Sequence, residues 1–203
     1  MMPDEDFLKE GFIYDVEDMD AILNQFISYM RDGSDEEIHD TDLNAVLQEL
    51  IIQFKPLDIR FEPTDLPIIQ ARTLSLKRLI GNLINNSKRY GAEPIELSAT
   101  IENENILIHV ADNGDGIPDD QIEELMQPFV RGNEARTIQG SGLGLSIVKR
   151  IVDIHQGELI IQNREQGGLE AIISLPINLV EKTDMPTISR FEKLKQTLTE
   201  HFY

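Results

Sequence analysis

Residues 95–116 read Ile-Glu-Leu-Ser-Ala-Thr-Ile-Glu-Asn-Glu-Asn-Ile-Leu-Ile-His-Val-Ala-Asp-Asn-Gly-Asp-Gly, and two patterns within them decide the fold. Apolar and polar residues alternate over Ile95–Ile101, and a second strand-like run covers Ile106–Ala111; both suit strands with one face in a core. The residues between, Glu102-Asn-Glu-Asn, suit a tight turn, so the pair is predicted to be an antiparallel hairpin. Asp112-Asn-Gly-Asp-Gly116 then breaks the chain with a carboxylate set directly on the strand end and two glycines after it.

Upstream of the hairpin the period changes to that of a helix. From Thr73 to Tyr90 the residues Leu76, Ile80, Leu83 and Ile84 form one apolar face, and Gly91 stops the run. Before it come two short β-like stretches, Ile59–Phe61 and Ile68–Gln70. A helix over Leu43–Phe54 precedes these, with Asp42 as its cap and Leu43, Val46, Leu47 and Leu50 on one side. Downstream, a short helix near Asp119–Met126 leads to a glycine-rich segment, Gly132–Gly142. A further helix from Leu143 to His155 and the strands Glu158–Gln162 and Leu169–Leu175 follow. Helices alternating with antiparallel strand pairs predict an α/β fold, a two-layer sandwich with helices on one face of a mixed, mainly antiparallel sheet.

Two flanking segments stand apart from residues 34–177. Phe12, Val16, Met19, Leu23, Phe26 and Met30 recur at alternating steps of four and three, the seam of one long helix that packs on other helices, and the polar run from Asp32 separates it from the domain. Residues 178–203 are predicted to be helical, with Ile188, Phe191, Leu194, Leu198 and Phe202 on one side.

Composition narrows the partners. The chain has 203 residues and a formal charge of −19, a field that repels nucleic acid and acidic membrane surfaces, so no nucleic-acid partner is expected. Cysteine is absent, which excludes disulfides and thiolate metal sites and fits a cytoplasmic setting. No apolar run reaches the ~18 residues that a membrane span needs.

Three constellations carry chemistry. Asn82, Asn86 and Tyr90 are four apart and form one stripe on the helix, with Lys88 and Arg89 beside it. An amide oxygen is a hard neutral ligand that suits Mg²⁺ when phosphate oxygens complete the shell, so Asn86 is the candidate metal ligand and Arg89 a candidate phosphate contact. The plainer reading is that these asparagines cap the helix or face water. Asp112 is placed to accept from an adenine amino group, with Gly114 and Gly116 letting the backbone approach a flat ligand; alternatively the segment is an ordinary tight turn. Gly140-Ser141-Gly142-Leu143-Gly144-Leu145 opens a helix, where bare amides and missing side chains favour phosphate. It is neither a P-loop nor a Rossmann fingerprint.

All three occur in order, with Phe129-Val-Arg131-Gly between the second and third, and in this the chain resembles the catalytic domain of sensor histidine kinases, an osmosensing member especially. Asn-x-x-x-Asn-x-x-Arg-Tyr-Gly at 82–91, Gln127-Pro-Phe-Val-Arg-Gly132, Ala135-Arg-Thr-Ile138 and Gly142-Leu-Gly-Leu145 are similar to that family's motifs. The resemblance implies the fold shared with gyrase-type and heat-shock-90-type ATPases, with ATP and Mg²⁺ as cofactors. It implies that Asn86 takes the ion, Asn82 supports it, and Tyr90 stacks on adenine. Asp112 then binds the amino group, Gly114, Gly116, Ile117 and Phe129 line the nucleotide, and Gly140–Leu145 cradle the phosphates. Asn86, Arg89 and Arg131 are the catalytic residues so implied, and 131–141 the lid. The helix with Gln25-Phe-Ile27 and Tyr29 looks like the second helix of a dimerisation hairpin. Implied partners are a homodimer mate, an acceptor histidine helix and an OmpR-like response regulator, in a kinase anchored in the inner membrane.

One departure limits this. His39, His109, His155 and His201 all lack the family's phosphoacceptor context. His39 and His109 read as structural, and His155 as a cationic partner for a helix C-terminus. The acceptor histidine is therefore expected from another segment or chain, and this chain alone is expected not to phosphorylate itself. The alternative is an ATP-binding regulatory module, or a serine-kinase-like or ATPase relative of the same fold.

Overall fold

The computed structural model describes residues 35–131 and 141–179, together with Leu23 and Ile27. The expected long N-terminal helix therefore falls outside the described residues apart from those two positions, and so do residues 180–203, Gly140 and most of the expected lid. In chain order the elements are β1 (His39–Thr41), α1 (Leu43–Gln53), β2 (Ile59–Phe61), β3 (Ile69–Ala71), α2 (Thr73–Tyr90), β4 (Ile95–Glu102), β5 (Asn105–Ala111), α3 (Asp119–Leu125), α4 (Gly144–Ile154), β6 (Glu158–Asn163) and β7 (Leu169–Pro176).

The hairpin that opened the sequence reading is the centre of a five-stranded sheet, ordered β2-β4-β5-β7-β6. β2 runs parallel to β4 and every other neighbour is antiparallel. Glu102 pairs with Asn105 across a two-residue turn in which Asn103 takes φ +56°, a conformation that asparagine tolerates. Alternation then does its work: Ile95, Leu97 and Ala99 of β4, Ile106, Ile108 and Val110 of β5, and Ala171, Ile173 and Leu175 of β7 are all buried. They share one core with Leu43, Leu47, Leu76, Ile80, Ile84, Val148 and Ile151 of the three long helices. Each of the valine, leucine and isoleucine side chains contributes about 1.5–3 kcal/mol by leaving water. The helices cover one face, giving the predicted two-layer sandwich. No helix among the described residues is long and apolar enough to cross a membrane.

Three details differ from expectation. β3 starts one residue later than predicted, because Ile69 and Ala71 point into the core while Ile68 is 56% exposed. β1 has no apolar alternation of its own; it exists through antiparallel pairing with β3, Thr41 opposite Ile69. His155 is not a cationic partner of a helix end. It is 1% exposed, its Nε2 accepts the Arg72 N–H at 3.1 Å, and Nδ1 bonds the Ile151 carbonyl at 2.8 Å. That pattern requires the neutral ring, and burial holds its pKa below the usual histidine value. His109 lies in β5 as expected of a structural residue, with Nδ1 2.9 Å from Glu170.

Candidate functional site

The end of α2, the start of α4 and the loop after β5 converge. α2 is set by its buried stripe, Leu76, Leu79, Ile80, Leu83 and Ile84, which packs it against the sheet and α4. That packing leaves Asn82 and Asn86 at the border of the face, half-buried. Asn86 meets α4: a Cβ added to Gly144 would fall 3.1 Å from its Oδ1. Asn82 instead ties its amide to the Arg78 carbonyl at 2.8 Å and lines a groove of about 270 Å³ with Phe54, Gly81 and Asn85. Arg89 is exposed in the last turn, and Tyr90 is 44% exposed.

Asp112 sits against the end of the same helix. A Cβ on Gly91 would overlap its carboxylate, approaching Cγ to 2.4 Å, so only glycine lets α2 end this close. Asp112 is 5% exposed, and its Oδ1 accepts the N–H groups of Gly114 at 3.0 Å and Leu169 at 3.2 Å. Oδ2 carries no hydrogen bond among the described residues, which leaves one acceptor oxygen available. Gly114 abuts Gly91, with no room for a Cβ, and Gly116 takes φ +76° against Asn163. Ile117 is clasped in both directions by that asparagine, donating to Oδ1 at 2.9 Å and accepting from Nδ2 at 2.7 Å.

The third constellation is built on Gly142. Its φ is +70°, its carbonyl accepts the Phe129 N–H at 3.0 Å, and a Cβ there would come within 2.7 Å of the Val130 carbonyl oxygen. The segment Phe129–Arg131 is thereby fastened to the start of α4. Phe129 itself takes φ +66° and is 57% exposed, a strained backbone of the sort that collects at binding sites. Leu143 is fully buried and Leu145 packs on the core, so they anchor the turn. Ser141 Oγ accepts the Leu143 N–H at 3.2 Å. α4 begins without any side-chain cap, which leaves the amides and positive dipole end of its first turn for a ligand.

Two residues missed by sequence reasoning position this site. Arg164 donates to the Asp112 carbonyl at 2.9 Å and to Asn113 Oδ1 at 3.2 Å, and also pairs with Glu96 at 2.9 Å. Asn163 holds Ile117 and bonds Asp119 at 2.7 Å. Asn163 ends β6 and Arg164 opens the β6–β7 connection, some 50 residues beyond the loop they fix, with no periodicity to mark them.

The sequence model of the histidine kinase-, DNA gyrase B- and HSP90-like ATPase family matches residues 71–179, the span that holds Asn86, Asp112 and the Gly142–Leu145 turn. The sensor histidine kinase GtrS of Pseudomonas aeruginosa is 32% identical over 176 residues, which is 85% of this chain but only 36% of that protein. The chain thus spans about a third of that relative's length. Among solved structures, the histidine kinase domain of the Escherichia coli osmosensor EnvZ is 39% identical, with a TM-score of 0.55 over 73% of this chain and 93% of that one. The catalytic domain of the histidine kinase ThkA is 27% identical, with a TM-score of 0.62 over 70% and 97%. With that family's model matching more than half of its residues and a sensor histidine kinase 32% identical over 85% of it, this chain belongs to the histidine kinase-, DNA gyrase B- and HSP90-like ATPase family, in the form that sensor histidine kinases carry.

Proposed function

We propose that the chain binds Mg-ATP and transfers the γ-phosphate to a histidine supplied by another segment or chain, for relay to a response regulator, here one of the OmpR type. The observation that carries this reading is Asn86 held against the uncapped start of α4 at Gly144. Among the described residues no three His, Cys, Asp or Glu side chains gather as a metal site, so an ion at Asn86 needs phosphate oxygens for most of its shell. When bound, Mg²⁺ supplies neutralisation of phosphate charge. Asn86 holds it, Asp112 Oδ2 accepts from the adenine amino group, and the Gly142–Leu145 turn receives the phosphates. Arg89 and Arg131 balance charge that develops in transfer, and Tyr90 flanks the base. Imidazole is already a nucleophile, so positioning suffices for transfer to histidine. Water would need a base, and the position four residues before Asn86, where ATPases of this fold carry glutamate, is Asn82, which has no proton-accepting pKa near neutrality.

In the same reading residues 1–33 pair with a mate as part of a dimerisation hairpin, 34–177 form the ATP-binding domain, and 178–203 form an appended helix. The kinase works on the cytoplasmic side of the membrane. The test is Asn86→Ala with nucleotide titrated in Mg²⁺ and in chelator. Affinity is expected to fall about tenfold, about 1.4 kcal/mol, in Mg²⁺ and to change little in chelator. Equal loss in both would remove the metal role.

A further inference from the structure

The two helices that meet at the candidate site also meet at their other ends. α2 and α4 run antiparallel, so the start of α2 lies beside the end of α4, roughly 17–20 Å from Asn86 at 1.5 Å per residue. There His155, which closes α4, accepts the Arg72 N–H, and Arg72 Nη1 reaches the Ile154 carbonyl at 3.5 Å. α2 has no cap from its own flank, for Arg72 makes no side-chain capping bond. The cap comes from 38 residues earlier. Glu36 accepts the Leu74 N–H at 2.6 Å, the Ser75 N–H at 2.9 Å and the Ser75 hydroxyl at 2.7 Å. The same segment is fastened twice more, by the Thr41–Thr73 hydroxyl contact at 2.7 Å and by the β1–β3 ribbon that runs straight into α2.

We propose that Glu36 is a positioning residue of the nucleotide site: it holds the start of α2 from the segment that enters the domain and, with His155 holding the end of α4, sets the spacing at which Asn86 meets the Gly142–Leu145 turn. The inference rests on the Mg-ATP reading for its consequence, though not for its geometry. A carboxylate on the first amides of a helix both satisfies them and favours the dipole, so Glu36 is a strong point of attachment. Both helices are rigid rods packed on one core, and a displacement at one end of such a rod is carried to the other. Any force on residues 1–33 reaches the domain at Glu36 and from there reaches the phosphates through α2. Adenine recognition abuts the end of α2 at Gly91, but Asp112 is itself held from β7 by Leu169 and from the β6–β7 side by Arg164, so it should be affected less than the phosphates.

The experiment compares Glu36→Ala, Glu36→Gln, His155→Ala and His155→Gln in the full chain. Gln at 155 can accept from Arg72 and donate to Ile151, and Gln at 36 keeps one acceptor oxygen, so each is the rescuing partner of its alanine variant. In Glu36→Ala and His155→Ala, Mg-ATP affinity is expected to fall about fivefold while adenosine affinity moves less than about twofold, with His155→Gln near the unmutated value. In the nucleotide-free protein, amide NMR should show Glu36→Ala shifting the Asn86 side-chain amide and the Gly144 N–H. Shifts confined to Thr73–Ser75, or equal losses for adenosine and Mg-ATP in variants that fold, would overturn the proposal. An unmutated chain that bound no Mg-ATP would instead sink the functional reading, with the NMR arm still deciding the clamp.

Discussion

Asp112 has two oxygens with different duties, and that division fixes what a substitution does. Oδ1 holds the loop together through Gly114 and Leu169, and Oδ2 is left to accept from a base. In Asp112→Asn the amide can keep the loop bonds with its oxygen, while its NH₂ takes the place of the free acceptor and opposes an amino group. The loop should survive, and ATP should lose about tenfold in affinity, about 1.4 kcal/mol, with its preference over GTP gone. Competition of ATP and GTP against a fluorescent nucleotide checks this; equal competition in the unmutated protein would refute the adenine assignment. His155 yields a second residue-level expectation. Its native pKa lies below the ordinary value because the ring is buried, which outweighs the raising effect of its bond to the Ile151 carbonyl; Arg72 beside it lowers the value further, against a smaller raising effect from Glu36. Below pH 6.5 the unfolded chain therefore binds more protons than the native one, and stability rises with pH there. Thermal midpoints should fall as pH drops from 6.5 towards the native pKa and level off below it. His155→Gln should flatten that part of the curve, and an unchanged slope would show that the ring does not titrate in this way.

Among the elements, α2, β4 and β5 were legible because each carries its own periodicity, and periodicity is what burial on one side writes into a sequence. The core list followed: Leu76, Ile80, Leu83 and Ile84 face inward as the helical spacing requires. The candidate site was half legible. Asp112 and the glycines announce themselves by local composition, and their placement on a strand end and a helix start is as expected. What could not be read is everything that acts across the chain. Glu36 reaches Leu74, Arg164 reaches Asp112 across 52 residues, and His155 reaches Arg72 across 83, none with a local pattern. The strand β1 belongs with these, since its only cause is a partner. Gly142 shows how the legible and illegible parts join: its glycine was plain, but its contact with Phe129 was not. Gly142→Ala forces a side chain into left-handed backbone and against the Val130 carbonyl, which should cost about 1–2 kcal/mol locally. The thermal midpoint should drop by a few degrees while phosphate-dependent nucleotide affinity falls more than adenosine affinity. Parallel losses would place Gly142 in the scaffold alone.

On the scale of the whole molecule, the question is how binding, pairing and turnover divide between this domain and what flanks it. Six large apolar residues from Phe12 to Met30 share one predicted helical face, and such a face rarely stays in water. Removal of residues 1–33 should therefore turn a concentration-dependent dimer into a monomer that still binds ATP, and sedimentation of a full chain that stays monomeric at high concentration would defeat this. Turnover is a separate matter. No histidine here stands in an acceptor context, His155 is buried with both ring nitrogens bonded, and Asn82 cannot activate water. Incubated with Mg-ATP, the chain should acquire no acid-labile phosphate and release almost no ADP. A separately supplied acceptor hairpin should become phosphorylated on its histidine, at a rate proportional to hairpin concentration well below the millimolar range. The slowness has a physical source, since a tether holds reactants at roughly millimolar effective concentration and a severed pair forgoes it. Phe129–Arg131, fastened to Gly142, should limit the residual rate, because charge balance by Arg131 depends on that junction. Radiolabel transfer with and without the hairpin, read beside ADP release, separates the outcomes. Robust hydrolysis by the chain alone, abolished by Asn82→Ala, would move it to the ATPase branch of the fold.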